Sequence, residues 1–166
     1  MIFVAVLFAT AGVVVLTAIN RDTQLLPPVD KCAPTDIRVN LNVPERNQVT
    51  LNVYNGTGRV GLAEQIGGEF QNRGFNVPKM ETAPDGQPYE EVARISFGPD
   101  GVGAAWLVSA YFLEDEAEMN FVRDRTGSDV DVTLGAKFQQ LATSTEVNQR
   151  IAANGRPQLY PGTCAA

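Results

Sequence analysis

Residues 49–74 read VTLNVYNGTGRVGLAEQIGGEFQNRG, and the change of period inside this stretch decides the fold. Val49, Leu51 and Val53 alternate with Thr50 and Asn52, the two-residue period of a half-buried strand. The turn-forming Asn55-Gly56-Thr57-Gly58 follows. Beyond it Val60, Ala63, Ile66 and Phe70 recur at helical spacing up to Arg73, with Gly74 in a helix-ending position. A strand therefore runs through a glycine turn into an amphipathic helix.

Upstream, Ile37, Val39, Leu41 and Val43 alternate with Arg38, Asn40 and Asn42, and Pro44-Glu45-Arg46-Asn47 separates them from Val49. That pattern predicts two half-buried strands joined by a short turn. Downstream, Phe75 to Met80 form a short strand that Pro78 confines to an edge or a strand end, and residues 81–89 (ETAPDGQPY) form a loop. Val92 to Phe97 make the next strand. Gly98-Pro99-Asp100-Gly101 leads into a second helix, with Asp100 as N-cap and Trp106, Ala110 and Leu113 on an apolar face. Met119 to Val122 and Val130 to Leu134 are the last two strands, separated by Arg125-Thr126-Gly127-Ser128. Ser144 or Thr145 caps a third helix to Ala153, which Asn154-Gly155 ends. This order predicts an α+β fold, a two-layer βαββαβ-type sandwich with both main helices on one face of the sheet. Trp106, Phe70, Val53 and Leu51 are expected to share its core, so that Trp106→Ala would destabilise by roughly 3 to 5 kcal/mol.

The first 19 residues, MIFVAVLFATAGVVVLTAI, carry no charge, and polarity begins abruptly at Asn20, Arg21 and Asp22. A helix of that length reaches roughly 28 Å, the thickness of a bilayer core. No Lys or Arg precedes Ile2 and no A-x-A-like site ends the run, so an uncleaved transmembrane helix over 1–20 is preferred to a signal peptide. Pro27, Pro28 and Pro34 mark residues 21–36 as an extended stalk, which leaves a domain over 37–143 and a tail over 144–166. The chain has two cysteines, Cys32 and Cys164, near the two ends of the soluble part. They read as one disulfide holding the tail, which requires an oxidising compartment; two unrelated free thiols are the alternative. The disulfide orients a single-pass protein of the cell membrane, with its N-terminus cytoplasmic and its domain outside.

A net charge of −6 argues against nucleic acid as a partner. Histidine is absent, so neither a Ser-His-Asp nor a Cys-His mechanism can be built, and two thiolates without histidine do not complete a zinc shell. The densest carboxylates, Glu114, Asp115, Glu116 and Glu118, lack the spacing and turn glycine of a calcium loop and read as a solvated helix end. No catalytic residue, metal ligand or cofactor is assigned.

One motif could carry chemistry. Gly56-Thr57-Gly58-Arg59-Val60-Gly61 fits G-x-G-x-x-G between a strand and a helix, with Glu81 about 20 residues on, the dinucleotide fingerprint. Against it stand the shortness of the unit and the interruption at Pro78. A second reading makes Asn55, Gly56, Thr57, Gly58 and Arg59 a site for an anionic group or a partner at the helix N-terminus. The third, which is preferred, is a tight turn with close packing.

The blocks Val49 to Gly58, Gly61-Leu62-Ala63, Arg73 to Val77, Ile95 to Gly98 and Val132 to Phe138 resemble, in order, those of the LytR C-terminal domain, found on actinobacterial envelope proteins. The resemblance covers about residues 49–141, and the single anchor, the cysteine after the stalk and the near-terminal cysteine are similar to the envelope-integrity group of mycobacteria and their relatives. It implies a non-enzymatic envelope protein with no catalytic residue to carry over. The expected function is a membrane-anchored, extracytoplasmic interaction module supporting envelope integrity. Its expected partners are the bilayer through residues 1–20, envelope or integral membrane proteins, and cell-wall polymer. An accessory subunit of a transport or respiratory assembly is the alternative, and a dinucleotide- or glycan-binding enzyme the third.

Overall fold

The computed structural model describes residues 32–84, 86, 88–113 and 117–166. The anchor expected over 1–20, the stalk as far as residue 31, and Glu114, Asp115 and Glu116 lie outside the described residues. Among the described residues no helix is long and apolar enough to cross a membrane.

In chain order the elements are β1 (Ile37–Val39), β2 (Thr50–Asn55), α1 (Leu62–Asn72), β3 (Asn76–Thr82), β4 (Ala93–Phe97), α2 (Val102–Ser109), β5 (Ala117–Phe121), β6 (Val130–Leu134), α3 (Ser144–Asn154) and β7 (Thr163–Ala165). The main sheet has five strands in the order β3-β2-β6-β4-β5. β2 runs parallel to β3 and β6, β4 runs parallel to β5, and β4 meets β6 antiparallel. Two β-α-β units therefore flank a central β6, pointing in opposite directions. Because such crossovers are right-handed, opposite direction combined with opposite displacement puts α1 and α2 on the same face. The fold is α+β with one helix-covered sheet face, as expected, but its central order is βαββαββ, because β6 inserts between the halves.

Strand period sorts the side chains. Leu51, Val53, Val130, Val132, Leu134, Ala93, Ile95 and Phe97 are buried beneath the helices. The intervening Asn52, Tyr54, Asp131, Thr133, Arg94 and Ser96 form the opposite, polar face. α1 buries one stripe, Leu62, Ala63, Ile66, Gly67 and Phe70, and the Phe70 ring meets those of Phe75, Tyr111 and Phe112. Pro78 sits in β3, which is an edge strand.

α2 is different, since Val102, Gly103, Ala104, Ala105, Leu107 and Val108 are all buried. A sheet can cover only one side of such a helix, and residues outside the sheet cover the rest. The Asn40 N–H donates to the Pro99 carbonyl, the Gly103 N–H donates to the Asn40 carbonyl, and a Cβ on Gly103 would collide with the Asn42 carbonyl. α3 adds Val147 to the core and sets Ile151 beside Trp106 and Leu107. β7 pairs parallel with β1, and the Cys32–Cys164 disulfide, with Cα atoms 5.6 Å apart, closes the wrap.

Several expectations are corrected. Residues 37–43 and 49–53 are not two strands joined by a short turn: β1 ends at Val39 and pairs with β7, and Asn40 spends its N–H and its carbonyl on the 99–103 segment that starts α2. Between them, 46–48 is a single 3-10 turn. Asp100 is not a helix cap, because it lies within the 3-10 turn 99–101 and Gly101 occupies the N-cap. The cap of α3 is Thr143 rather than Ser144 or Thr145: its hydroxyl accepts from the Glu146 N–H, and the Glu146 carboxylate accepts from the Thr143 N–H at 2.7 Å. Trp106 lies half-buried at the rim while Phe70, Val53 and Leu51 are fully buried, so it does not share their core as a buried side chain. Glu118 is in β5, not at a helix end.

Candidate functional site

The glycine turn leaves the sheet where β2, β3 and β6 all end, at their carboxyl ends, the place where open α/β sheets hold ligands. The turn is closed by its own side chains. Asn55 Oδ1 accepts from the Thr57 N–H at 2.9 Å and from its hydroxyl at 2.7 Å, and Asn55 Nδ2 donates to the Arg59 carbonyl at 2.6 Å. The Arg59 N–H donates to Thr57 Oγ1, and its guanidinium donates to the Phe138 carbonyl at 3.0 Å. All five expected residues are thus together, with Asn55 as the hub. The Gly56 N–H donates to the Leu134 carbonyl and the Tyr89 N–H donates to the Gly56 carbonyl, which stitches the turn to β6 and to the loop before β4.

The three glycines have different reasons. A Cβ on Gly56 would stand 2.9 Å from the Leu134 carbonyl oxygen, Gly61 has φ +77° at the N-cap of α1, and Gly58 faces open space. A groove of about 290 Å³ borders the turn, and Glu81 does line it, together with Glu64. Those two carboxylates oppose an anion there, while Arg59 is spent on the 138 carbonyl.

A second polar cluster occupies the open face of the sheet. The Tyr89 hydroxyl donates to Glu118 Oε2 at 2.8 Å, Arg94 Nε donates to the same oxygen at 3.0 Å, and the Arg94 guanidinium lies 4.5 Å from the centre of the Tyr89 ring. Burial and the bond to Glu118 push the Tyr89 hydroxyl up to about 12, and the Tyr89 and Arg94 bonds hold Glu118 below the usual carboxylate range. Arg125 bridges Asp131 at 2.7 Å and Asp129 at 2.6 Å, pinning the 123–129 loop across the strand ends. Among the described residues no group of acidic or cysteine side chains could hold a metal ion.

Sequence reading missed the surroundings of Trp106. Its ring borders two grooves, one toward Val43, Gly74 and Ile151, the other toward Met119 and residues 153–160. The signal was present: in a helix as apolar as VGAAWLVS, the widest side chain need not be the one that faces the sheet.

The chain has counterparts among known proteins. A solved structure, the soluble domain of a conserved hypothetical secreted protein from Mycobacterium marinum, superposes with a TM-score of 0.57 at 23% identity, covering 75% of this chain and 84% of that one. This likeness shows a shared fold. No curated protein matches the chain. Residues 48–138, more than half of the chain, match the LytR C-terminal family model, described as LytR cell envelope-related transcriptional attenuator, and they run from just before β2 to the carbonyl that Arg59 holds. The chain belongs to the LytR C-terminal family.

Proposed function

We propose that this protein is a non-enzymatic, membrane-anchored module whose extracytoplasmic domain binds other envelope components and supports envelope integrity, with residues 1–20 as the anchor. The observation that carries this reading is the Cys32–Cys164 disulfide, which ties the first described residue to the last strand of the fold and belongs in an oxidising compartment. The family supports the envelope assignment. In this reading the turn of Asn55, Gly56, Thr57, Gly58 and Arg59 is a structural joint, since its polar groups are turned on one another.

The test has two parts. A reporter enzyme active only outside the cytoplasm, fused after Ala166, should be active, and an inactive fusion would overturn the orientation. Affinity purification of the full chain in mild detergent, read by mass spectrometry, should retain envelope proteins substoichiometrically. Stoichiometric retention would instead favour a permanent subunit of a larger membrane complex, a reading that the grooves beside Trp106 also serve.

A further inference from the structure

The five-stranded sheet has two edges, and only one is blunted. β3 exposes Pro78, Lys79 and Glu81, devices that keep an edge from pairing with another strand. β5 (AEMNF) has no proline, and its one charge, Glu118, is held sideways by Tyr89 and Arg94. Just beyond β5 the Val122 N–H donates inward to the Phe97 carbonyl. By the two-residue period of a strand, the backbone groups of Ala117, Met119 and Phe121 therefore point away from β4. Among the described residues no strand takes them up.

Beside this edge the chain passes from the end of α3 to Tyr160, which stacks on Phe121 with ring centres 5.0 Å apart, and its backbone makes no bond to β5. A groove of about 570 Å³ lies there, bordered by Trp106 and Ser109 of α2, Met119 of β5, Arg156 and Leu159. Its volume is that of a ligand cleft. In a chain of net charge −6, Arg156 is the only charged residue among the described residues that line the groove.

We propose that this groove takes an extended segment of a partner protein, apolar at alternate residues and carrying an acidic residue, which adds as a strand to β5. The outward backbone groups of Ala117, Met119 and Phe121 supply main-chain hydrogen bonds, Trp106, Met119 and Leu159 receive the alternate apolar side chains, and Arg156 draws the acid. The proposal rests on the interaction-module reading and names the chemistry of its partner.

Trp106 is the chain's single tryptophan, so the groove carries its own reporter. The full chain is titrated with a panel of capped octapeptides in which Leu, Val or Phe alternates with Thr and one Glu. Parallel panels are N-methylated at alternate residues or carry Lys in place of Glu. A saturable blue shift of Trp106 emission is expected with at least one acidic peptide, weakened at least tenfold by N-methylation and severalfold by Lys or by Arg156→Ala. Bound peptide should slow hydrogen exchange at the Met119 and Phe121 amides and leave Asn120 unchanged. No shift with any peptide up to millimolar concentration, equal binding of the N-methylated panel, or unprotected Met119 and Phe121 amides would overturn strand addition. Retention of envelope proteins by Arg156→Ala at wild-type level, with no peptide binding, would overturn this proposal and leave the module reading standing. Loss of all retention by the wild-type chain would instead strike the module reading itself.

Discussion

The two β-α-β units of the sheet are built to one plan and finished in different ways. In the β2-α1-β3 unit, α1 buries a single stripe and turns Glu64, Gln65, Gln71 and Asn72 to solvent, so the sheet and the rings of Phe75, Tyr111 and Phe112, all within the family region, cover it. In the β4-α2-β5 unit, α2 has no polar face to expose, and the sheet leaves half of it uncovered. The missing cover comes from residues 40–43, from α3 and from the chain leading to β7, all outside the region 48–138 that matches the family. The family region thus contains one helix that it covers itself and one that its flanks must finish. The disulfide fastens those flanks to each other.

The contrast can be broken most sharply at the disulfide. Cys32→Ser with Cys164→Ser opens a loop with a sequence separation of 132, which the chain-entropy model values at about 4 to 5 kcal/mol. Denaturant unfolding should register much of that loss. Hydrogen exchange should find α2 deprotected before α1, whereas equal deprotection of both helices would refute the division into halves. Next come the aromatic truncations. Phe70→Ala, in the closed core, should lose roughly 3 to 5 kcal/mol, while Trp106→Ala, at a half-open rim, should lose less than about 2. Equal losses would mean that the grooves are closed in solution.

Glycines in the two helices give a pair of opposite sign. Gly103→Ala in α2 forces a Cβ into the Asn42 carbonyl and should destabilise by roughly 1 to 3 kcal/mol. Gly68→Ala in α1 meets nothing within 4 Å and should stabilise by about 0.5 to 1 kcal/mol in thermal unfolding. In the turn that opens α1, Gly61→Ala should cost about 1 kcal/mol because its φ is +77°, and Gly58→Ala should stay within about 0.5.

The smallest effect is in pH. Tyr89 ionises at about 12, above its ordinary 10, so its contribution to stability is complete below pH 10 and is lost as pH rises through 12. Glu118 is shifted down, so its contribution is complete above its ordinary 4.5 and is lost as pH falls through the lowered value. Tyr89→Phe removes the first cause of the Glu118 shift and should move its carboxyl back toward 4.5 by NMR titration. An unmoved carboxyl would detach the open-face cluster from β5.

Legibility in the sequence followed the same division. The strands and α1 of the family region were readable because they are amphipathic, so period reports burial directly: β2, α1 and the site of β6 follow from spacing, and the edge position of β3 follows from Pro78. Residues 37–43 also show a clean strand period, yet period does not name the partner. Their backbone went to Pro99, Gly103 and β7 because α2 needed covering. The cap of α3 fell one or two residues earlier than expected, since Thr143, Ser144 and Thr145 are chemically alike and only Thr143 stands three before Glu146. In the turn, five neighbouring residues could be named from G-x-G-x-x-G, but that pattern does not say whether the N–H groups face a ligand or the Asn55 and Thr57 side chains. The groove at β5 was invisible, because it joins residues from α2, β5 and the last stretch of chain.

The parallel pairing of β1 with β7 has a mechanical consequence. Cys32 and Cys164 enclose nearly every described residue in one covalent loop, and in the parallel pair beside the bond the chain enters β1 and leaves β7 at opposite ends of the ladder. A tension applied to the chain by its two ends is carried across the sulfur bridge and bypasses everything between. The sheet and its helices stay slack under such a load until a reductant cuts the bridge. Only then do β1 and β7 bear the pull, shearing along a ladder three residues long.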